Sequence, residues 1–322
     1  MTLGYEAVPL FFILSGFILS HNYFDEFSFG TGYFRFLFLR FARLWPVHCV
    51  TLVLLALNPN LLAIGVDSLK SLIEELLMVR LWFHDARAWN VPSWSISAEW
   101  FAYIGVFPLT YLLYRRIRWL PGLVIMVMAF LVLQVSPINL ILFPPTNKTG
   151  TIFFLFLAGC GLYQIRRQTK TAPAGFIVNT GLALLLAFIM FNRNLSEFVL
   201  YSAFALVIYG LSFERGWLAR MLSTKWIVYG GLASYSLYMT HYLIVQTYIY
   251  YSTPYWKTIP NLPMPARISI LLAMGIVFLG TAVLFYRTIE EPANKGLRRL
   301  VFSRRQVAVI SVPIGTEDAV KI

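Results

Sequence analysis

The sequence predicts an all-α, polytopic bundle of about nine transmembrane helices, and three observations carry that expectation. Hydrophobic residues make up 59% of the 322 residues, only 12% are charged, and mean hydropathy is +0.70. A soluble domain carries about 25% charged residues, so this chain holds about half the charge needed to cover a water-facing surface. Apolar runs of the length a helical span requires, roughly 20 residues, recur along the chain. Lys and Arg gather in short clusters between those runs, which is how membrane topology is written. An ordinary soluble enzyme, a disordered chain and a nucleic-acid-binding module are excluded. The net charge of +12 belongs to topology rather than to a nucleic-acid footprint.

The expected spans, in order, are about 5–21, 41–58, 94–114, 119–136, 150–165, 174–191, 197–213, 227–251 and 267–287. Apolar residues surround the axis in each, which argues helix; membrane strands would alternate strictly over about 10 residues. The stretch between the second and third spans is less apolar. Within it 68–80 (SLKSLIEELLMVR) is amphipathic and is expected on the surface or packed on the bundle. Basic residues then assign sides. Arg35, Arg40 and Arg43 follow the first span, Arg115, Arg116 and Arg118 the third, Arg166, Arg167 and Lys170 the fifth, and Arg215, Arg220 and Lys225 the seventh. With Arg287 and the basic residues beyond it, that side holds 19 of the 26 and is expected to be cytoplasmic. The C-terminus is then inside and Met1 outside, which predicts a further helix upstream. Residues 1–300 are expected to form the membrane domain and 301–322 a cytoplasmic tail, in a cell (inner) membrane. Cys49 and Cys160 sit inside apolar runs as small hydrophobes and support neither a disulfide framework nor a zinc site.

Ionisable groups inside a span cost several kcal/mol unless they face a cavity or a partner, so they point to function. Glu99 lies in Trp94-Ser95-Ile96-Ser97-Ala98-Glu99-Trp100. Ser95, Glu99 and Tyr103 recur at i, i+4 and i+8 and form one polar stripe, with Glu99 roughly 8 Å below the outer end. His241 follows Ser234 and Tyr238 on one face of the eighth span, roughly 15 Å from its outer end. Arg40 and Arg43 open the second span at i, i+3, so two guanidinium forks at the cytoplasmic boundary can take phosphate oxygens bidentately. Plain positive-inside anchoring explains such a pair equally well. His21, His48, His84 and Asp85 read as structural or incidental, and Pro292 is expected to end the last helix after Glu290-Glu291. No HExxH, GxSxG, P-loop or GxGxxG motif is present, and no metal site is expected.

These pieces together resemble the acyltransferase-3 family of membrane O-acyltransferases, which modify exopolysaccharide, lipopolysaccharide, peptidoglycan and related glycans. Phe11-Phe12-Ile13-Leu14-Ser15-Gly16-Phe17 looks like the family's FFxLSGF stretch, Arg40-Phe41-Ala42-Arg43 with Pro46 like its RxxR motif, and Trp94 to Glu99 like WSLxxE. Ser234 to His241 looks like SYSLYxxH, and Glu290-Glu291-Pro292 like its terminal ExP. Five motifs in order cover nearly all of 5–300. The family's first helix, which carries an Arg and a His, has no counterpart, so the chain begins about where the second helix is expected.

The resemblance implies ten spans and transfer of an acyl group, commonly acetyl, from cytoplasmic acyl-CoA to a hydroxyl of a glycan or lipid-linked saccharide. It implies no bound cofactor, with acyl-CoA, the saccharide and membrane lipids as partners. In that frame Arg40 and Arg43 hold the CoA phosphates, the first-helix His is the family's base with Glu99 orienting it or holding its charge, His241 is the fallback catalytic base in this chain, and Trp94, Ser95 and Tyr238 contact the acceptor. The rival classes are a proton-coupled secondary transporter, which uses the same intramembrane Glu and His, and an inactive glycan-lipid-binding protein. A carrier would show two related halves, and the sequence shows none.

Overall fold

The computed structural model describes residues 7–25, 27–57, 69–83, 89–116, 127, 147–191, 196–253 and 261–301. Among them there is no strand. The helices are α1 (Ala7–Tyr23), α2 (Thr31–Ala56), α3 (Leu69–Leu76), α4 (Arg80–Phe83), α5 (Ser93–Phe101) and α6 (Phe107–Arg116). They continue as α7 (Asn147–Gln168), α8 (Ala174–Met190), α9 (Glu197–Leu211), α10 (Trp217–Leu222), α11 (Lys225–Ser252), α12 (Met264–Phe285) and α13 (Glu291–Val301). Eight of the nine expected spans coincide with these helices. The fourth, 119–136, lies outside the described residues apart from Val127, as do His84, Asp85 and 302–322. By length and composition Thr31–Ala56, Ser93–Arg115 and Met264–Leu300 can cross a bilayer unaided; α1, α8 and α9 are apolar but shorter.

Two compact units divide the chain. The first comprises Met1–Tyr33, Val79–Ala86 and Ser97–Ser223. The second comprises Phe34–Met78, Arg87–Ile96 and Thr224–Ile322.

Small residues bring the helices of the first unit together. A Cβ added at Gly16 of α1 would lie 2.1 Å from the Phe156 carbonyl oxygen of α7, and one at Gly159 would lie 2.1 Å from that of Ile13. No side chain fits at either crossing point, so the two backbones are in direct contact, as small residues allow in membrane helix pairs. Gly181 of α8 against Ala203, and Gly210 of α9 against Ala174, repeat the device.

In the second unit α12 presents Leu271, Leu272, Ile276 and Leu279 outward, each more than 60% exposed. In lipid such a face needs no cover, because acyl chains solvate it as well as a protein core would.

Two expectations about helix ends are corrected. Helix α2 begins at Thr31, so Arg40 and Arg43 lie within it rather than opening it. Arg40 is 6% exposed; its charge is tolerated because it faces protein instead of lipid. Pro292 does not end the last helix. A π-helical turn at Tyr286–Glu290 joins α12 to α13, with the Glu291 N–H bonded to the Tyr286 carbonyl. That wider turn makes room for the ring, and Pro292 takes an early position in α13, where a missing N–H costs little.

Candidate functional site

Polar side chains of the second unit converge from α2, α3, the 89–92 loop, the start of α5, α11 and the π turn before α13. Buried Glu290 accepts a hydrogen bond from Ser236 of α11, Oγ to Oε2 at 2.5 Å. Arg43 of α2 lies within electrostatic reach of the same carboxylate. One end of the site therefore joins Arg43, the Ser-Tyr-Ser stretch and the terminal Glu, from three motifs far apart in sequence. Tyr235 adds a bond to the Leu44 carbonyl of α2 at 2.5 Å, two residues before Pro46.

A second polar chain runs through the same unit. Ser95 Oγ donates to the Tyr238 hydroxyl at 2.8 Å, and Tyr238 donates to the Pro92 carbonyl at 3.2 Å. His241 Nδ1 lies 2.5 Å from the Tyr238 carbonyl oxygen, one turn back on α11. A carbonyl only accepts, so Nδ1 carries the proton and Nε2 keeps its lone pair in the neutral ring. Ser95 and His241 thus meet Tyr238 at different atoms, its hydroxyl and its backbone carbonyl. Trp94 beside them is buried at 8% exposure. Ser234, read as sharing this face, is exposed and bonds the Gly231 carbonyl of its own helix.

Glu99 belongs to the first unit. It is half-buried and accepts a hydrogen bond from Tyr103, one turn on. Tyr103 is 2% exposed and sits in a second π turn, Ala102–Val106. The Ile104 carbonyl in that turn accepts from Tyr33 at 2.7 Å. Both π turns of the described chain hold or adjoin an acidic group singled out above; such single-turn insertions are frequent at functional sites.

Glu75 was missed by sequence reasoning. It is 2% exposed on α3, and its Oε2 accepts from Ser93 Oγ at 2.7 Å while its Oε1 accepts from the Trp89 N–H at 3.1 Å. Its backbone carbonyl takes a hydrogen bond from His48 Nε2 at 2.7 Å. Trp89 Nε1 donates to Ser71 Oγ at 2.7 Å. Asn90 Nδ2 donates to the Met239 carbonyl at 2.9 Å, which ties this loop to α11 beside Tyr238. A signal existed: Ser71, Leu72, Glu75 and Leu76 recur at i, i+1, i+4 and i+5 and share one helix face. That face packs, with Leu72 and Leu76 against Leu52 and Trp89. The apolar Leu69, Ile73 and Leu77 point outward instead.

Among the described residues, no three His, Cys, Asp or Glu side chains converge as a metal site. No solved structure matches the chain. It is 38% identical to an acyltransferase, MdmB, of Streptomyces mycarofaciens over 36% of this chain and 30% of that protein. It is 24% identical to the peptidoglycan O-acetyltransferase OatA of Listeria monocytogenes over 91% of this chain and 51% of that protein. The chain therefore spans about half, or less, of the length of these relatives. The acyltransferase-3 family model, described as an acyltransferase domain, matches residues 1–287, and this all-α membrane protein belongs to that family.

Proposed function

We propose that the chain is a membrane O-acyltransferase that moves an acyl group, acetyl in the simplest case, from acyl-CoA to a hydroxyl of a glycan or lipid-linked saccharide. The observation that supports it most is His241 one turn from the Ser95–Tyr238 pair, because its imidazole is held by one nitrogen with the other left as a base.

In this reading His241 Nε2 takes the proton of the acceptor hydroxyl as its oxygen attacks the thioester carbonyl. The C–S bond breaks, the new ester forms, and the proton passes to the departing CoA thiolate. Ser95 and Tyr238 orient the acceptor, and Trp94 supplies a face for the sugar ring. Arg40 and Arg43 hold CoA phosphates; Glu290, opposite Arg43, fixes that side chain. Glu99, which accepts a hydrogen bond from Tyr103, keeps the catalytic role that the family resemblance assigns to it. The donor is expected from the cytoplasmic side, to which the Lys and Arg bias assigns the C-terminus.

Purified protein in liposomes, given radiolabelled acetyl-CoA and an extracted glycan acceptor, tests this. Label is expected in the glycan, with loss of at least a hundredfold in His241→Gln, the usual scale for removing a general base. Full turnover by that variant removes His241 from the mechanism, and uptake of unmodified solute without label transfer would place the chain among carriers.

A further inference from the structure

The first unit contains a cavity of about 690 Å³ lined by Phe24, Asp25, Tyr111, Tyr114, Arg115, Gln164, Arg167 and Gln168. None of these residues takes part in the acyl-transfer site. They come from the C-terminal ends of α1, α6 and α7 or just beyond, all on the side that the Lys and Arg bias assigns to the cytoplasm.

The lining is rich in hydrogen-bond donors that have nothing to bond. Gln164 is 2% exposed, and its Nε2 has no partner among the described residues. The Tyr114 hydroxyl is in the same condition. A buried donor left unsatisfied is costly and rare in native proteins, so two at one cavity point to a ligand that accepts.

Charge sets the kind of acceptor. Arg115 and Arg167 face a single carboxylate, Asp25, which pairs with Arg167 at 3.0 Å. The surplus is one positive charge. Three helix C-termini add partial negative charge, about half a charge each, so side chains and helix ends together come close to neutral while offering both donors and acceptors. That balance rejects a dianion such as a free phosphate monoester and suits a phosphodiester that carries its own cation. The remaining wall is aromatic: the Phe24 ring lies 5.4 Å from that of Tyr111 and 5.5 Å from that of Tyr114. Aromatic groups beside basic ones are the composition of a membrane–water interface. The volume falls in the range of small-molecule sites, about 300–1,000 Å³, and exceeds what a lone inorganic ion needs.

We infer that this cavity binds the phosphodiester headgroup of a membrane phospholipid, with Gln164, Tyr114, Arg115 and Arg167 donating to its oxygens. Asp25 and the helix-end carbonyls sit where the ammonium of an ethanolamine headgroup would add to the fit.

Native mass spectrometry of the purified full chain tests it, by titration with dioleoyl phosphatidylethanolamine, dioleoyl phosphatidylglycerol and dioleoylglycerol, which lacks the phosphate. Both phospholipids should be retained and dioleoylglycerol lost. Arg115→Gln and Gln164→Leu should each weaken retention about tenfold, the worth of one charge-assisted or buried hydrogen bond. Arg299→Gln, an exposed basic site elsewhere, should change nothing. Gln164→Leu also removes an orphan polar group and is expected to raise the unfolding temperature, and Arg115 is exposed, so both variants should fold. Displacement of lipid by soluble glycerophosphoethanolamine would assign recognition to the headgroup alone. Equal retention of dioleoylglycerol, or unchanged affinity in both cavity variants, overturns the inference. The readout is binding, so either result leaves the acyl-transfer reading where it stands.

Discussion

At Glu75 a full carboxylate is held inside protein by two donors, the Ser93 hydroxyl and the Trp89 N–H. Glu75→Leu would leave both donors unpaired, at about 1–3 kcal/mol each. The expected result is a clear drop in unfolding temperature in detergent, together with loss of transfer, because the loop that aligns Ser95 with Tyr238 loses its anchor. Retained stability would show that the carboxylate carries none of that load. Ser236 and Glu290 offer a cleaner measurement. A double-mutant cycle with Ser236→Ala and Glu290→Gln should give a coupling of about 1.5–3 kcal/mol, as for hydrogen bonds to a charged group; additive effects would deny the pairing. Glu99 and His241 were legible in the sequence because a titratable group in an apolar run is costly and conspicuous. Glu75 was not, because it lies in a polar stretch beside Glu74, where a carboxylate facing water costs nothing.

Helix crossings and π turns decide what the elements can do. At the α1–α7 crossing a methyl group meets a carbonyl oxygen with no flexible side chain to yield. Gly159→Val is therefore expected to force the helices apart and destabilise the chain by more than the about 1–3 kcal/mol of ordinary overpacking. Thermal unfolding would show it, and wild-type stability would mean that the crossing is looser than the geometry requires. The turn at Tyr286–Glu290 acts differently. One extra residue in a helical turn rotates all that follows by about 100°. The turn sets Glu290 toward Ser236 and lets Pro292 continue the helix. Deleting one residue of the turn should restore α-helical phase, turn Glu290 off its partner and abolish transfer while the protein still inserts. The Pro292 error followed from reading proline as a terminator without that insertion in view.

For the whole molecule the governing quantity is the placement of Lys and Arg. Cysteine introduced at Lys170 should react with a membrane-impermeant maleimide only in inverted vesicles, and cysteine at Asn261 only in intact cells. The reverse pattern would invert the topology and move the donor to the other face. Arg40→Ala with Arg43→Ala should raise the KM for acetyl-CoA at least tenfold while membrane insertion persists; an unchanged KM would return the pair to anchoring.

Hydropathy and charge act residue by residue, through the cost of moving each group between water and lipid. For that reason the sequence alone determined the all-α membrane class, most of the span order and the motifs that mark the family. Partnership is different, because it depends on how each helix is rotated and which neighbour it crosses. Only the tertiary structure placed Glu290 on Ser236, brought Tyr238 to Ser95 and buried Glu75 beneath Trp89, whereas Glu99 with Tyr103 and His241 with Tyr238 are one-turn neighbours that the sequence already set side by side. Packing and the two π turns set those rotations, and neither leaves a period in the sequence.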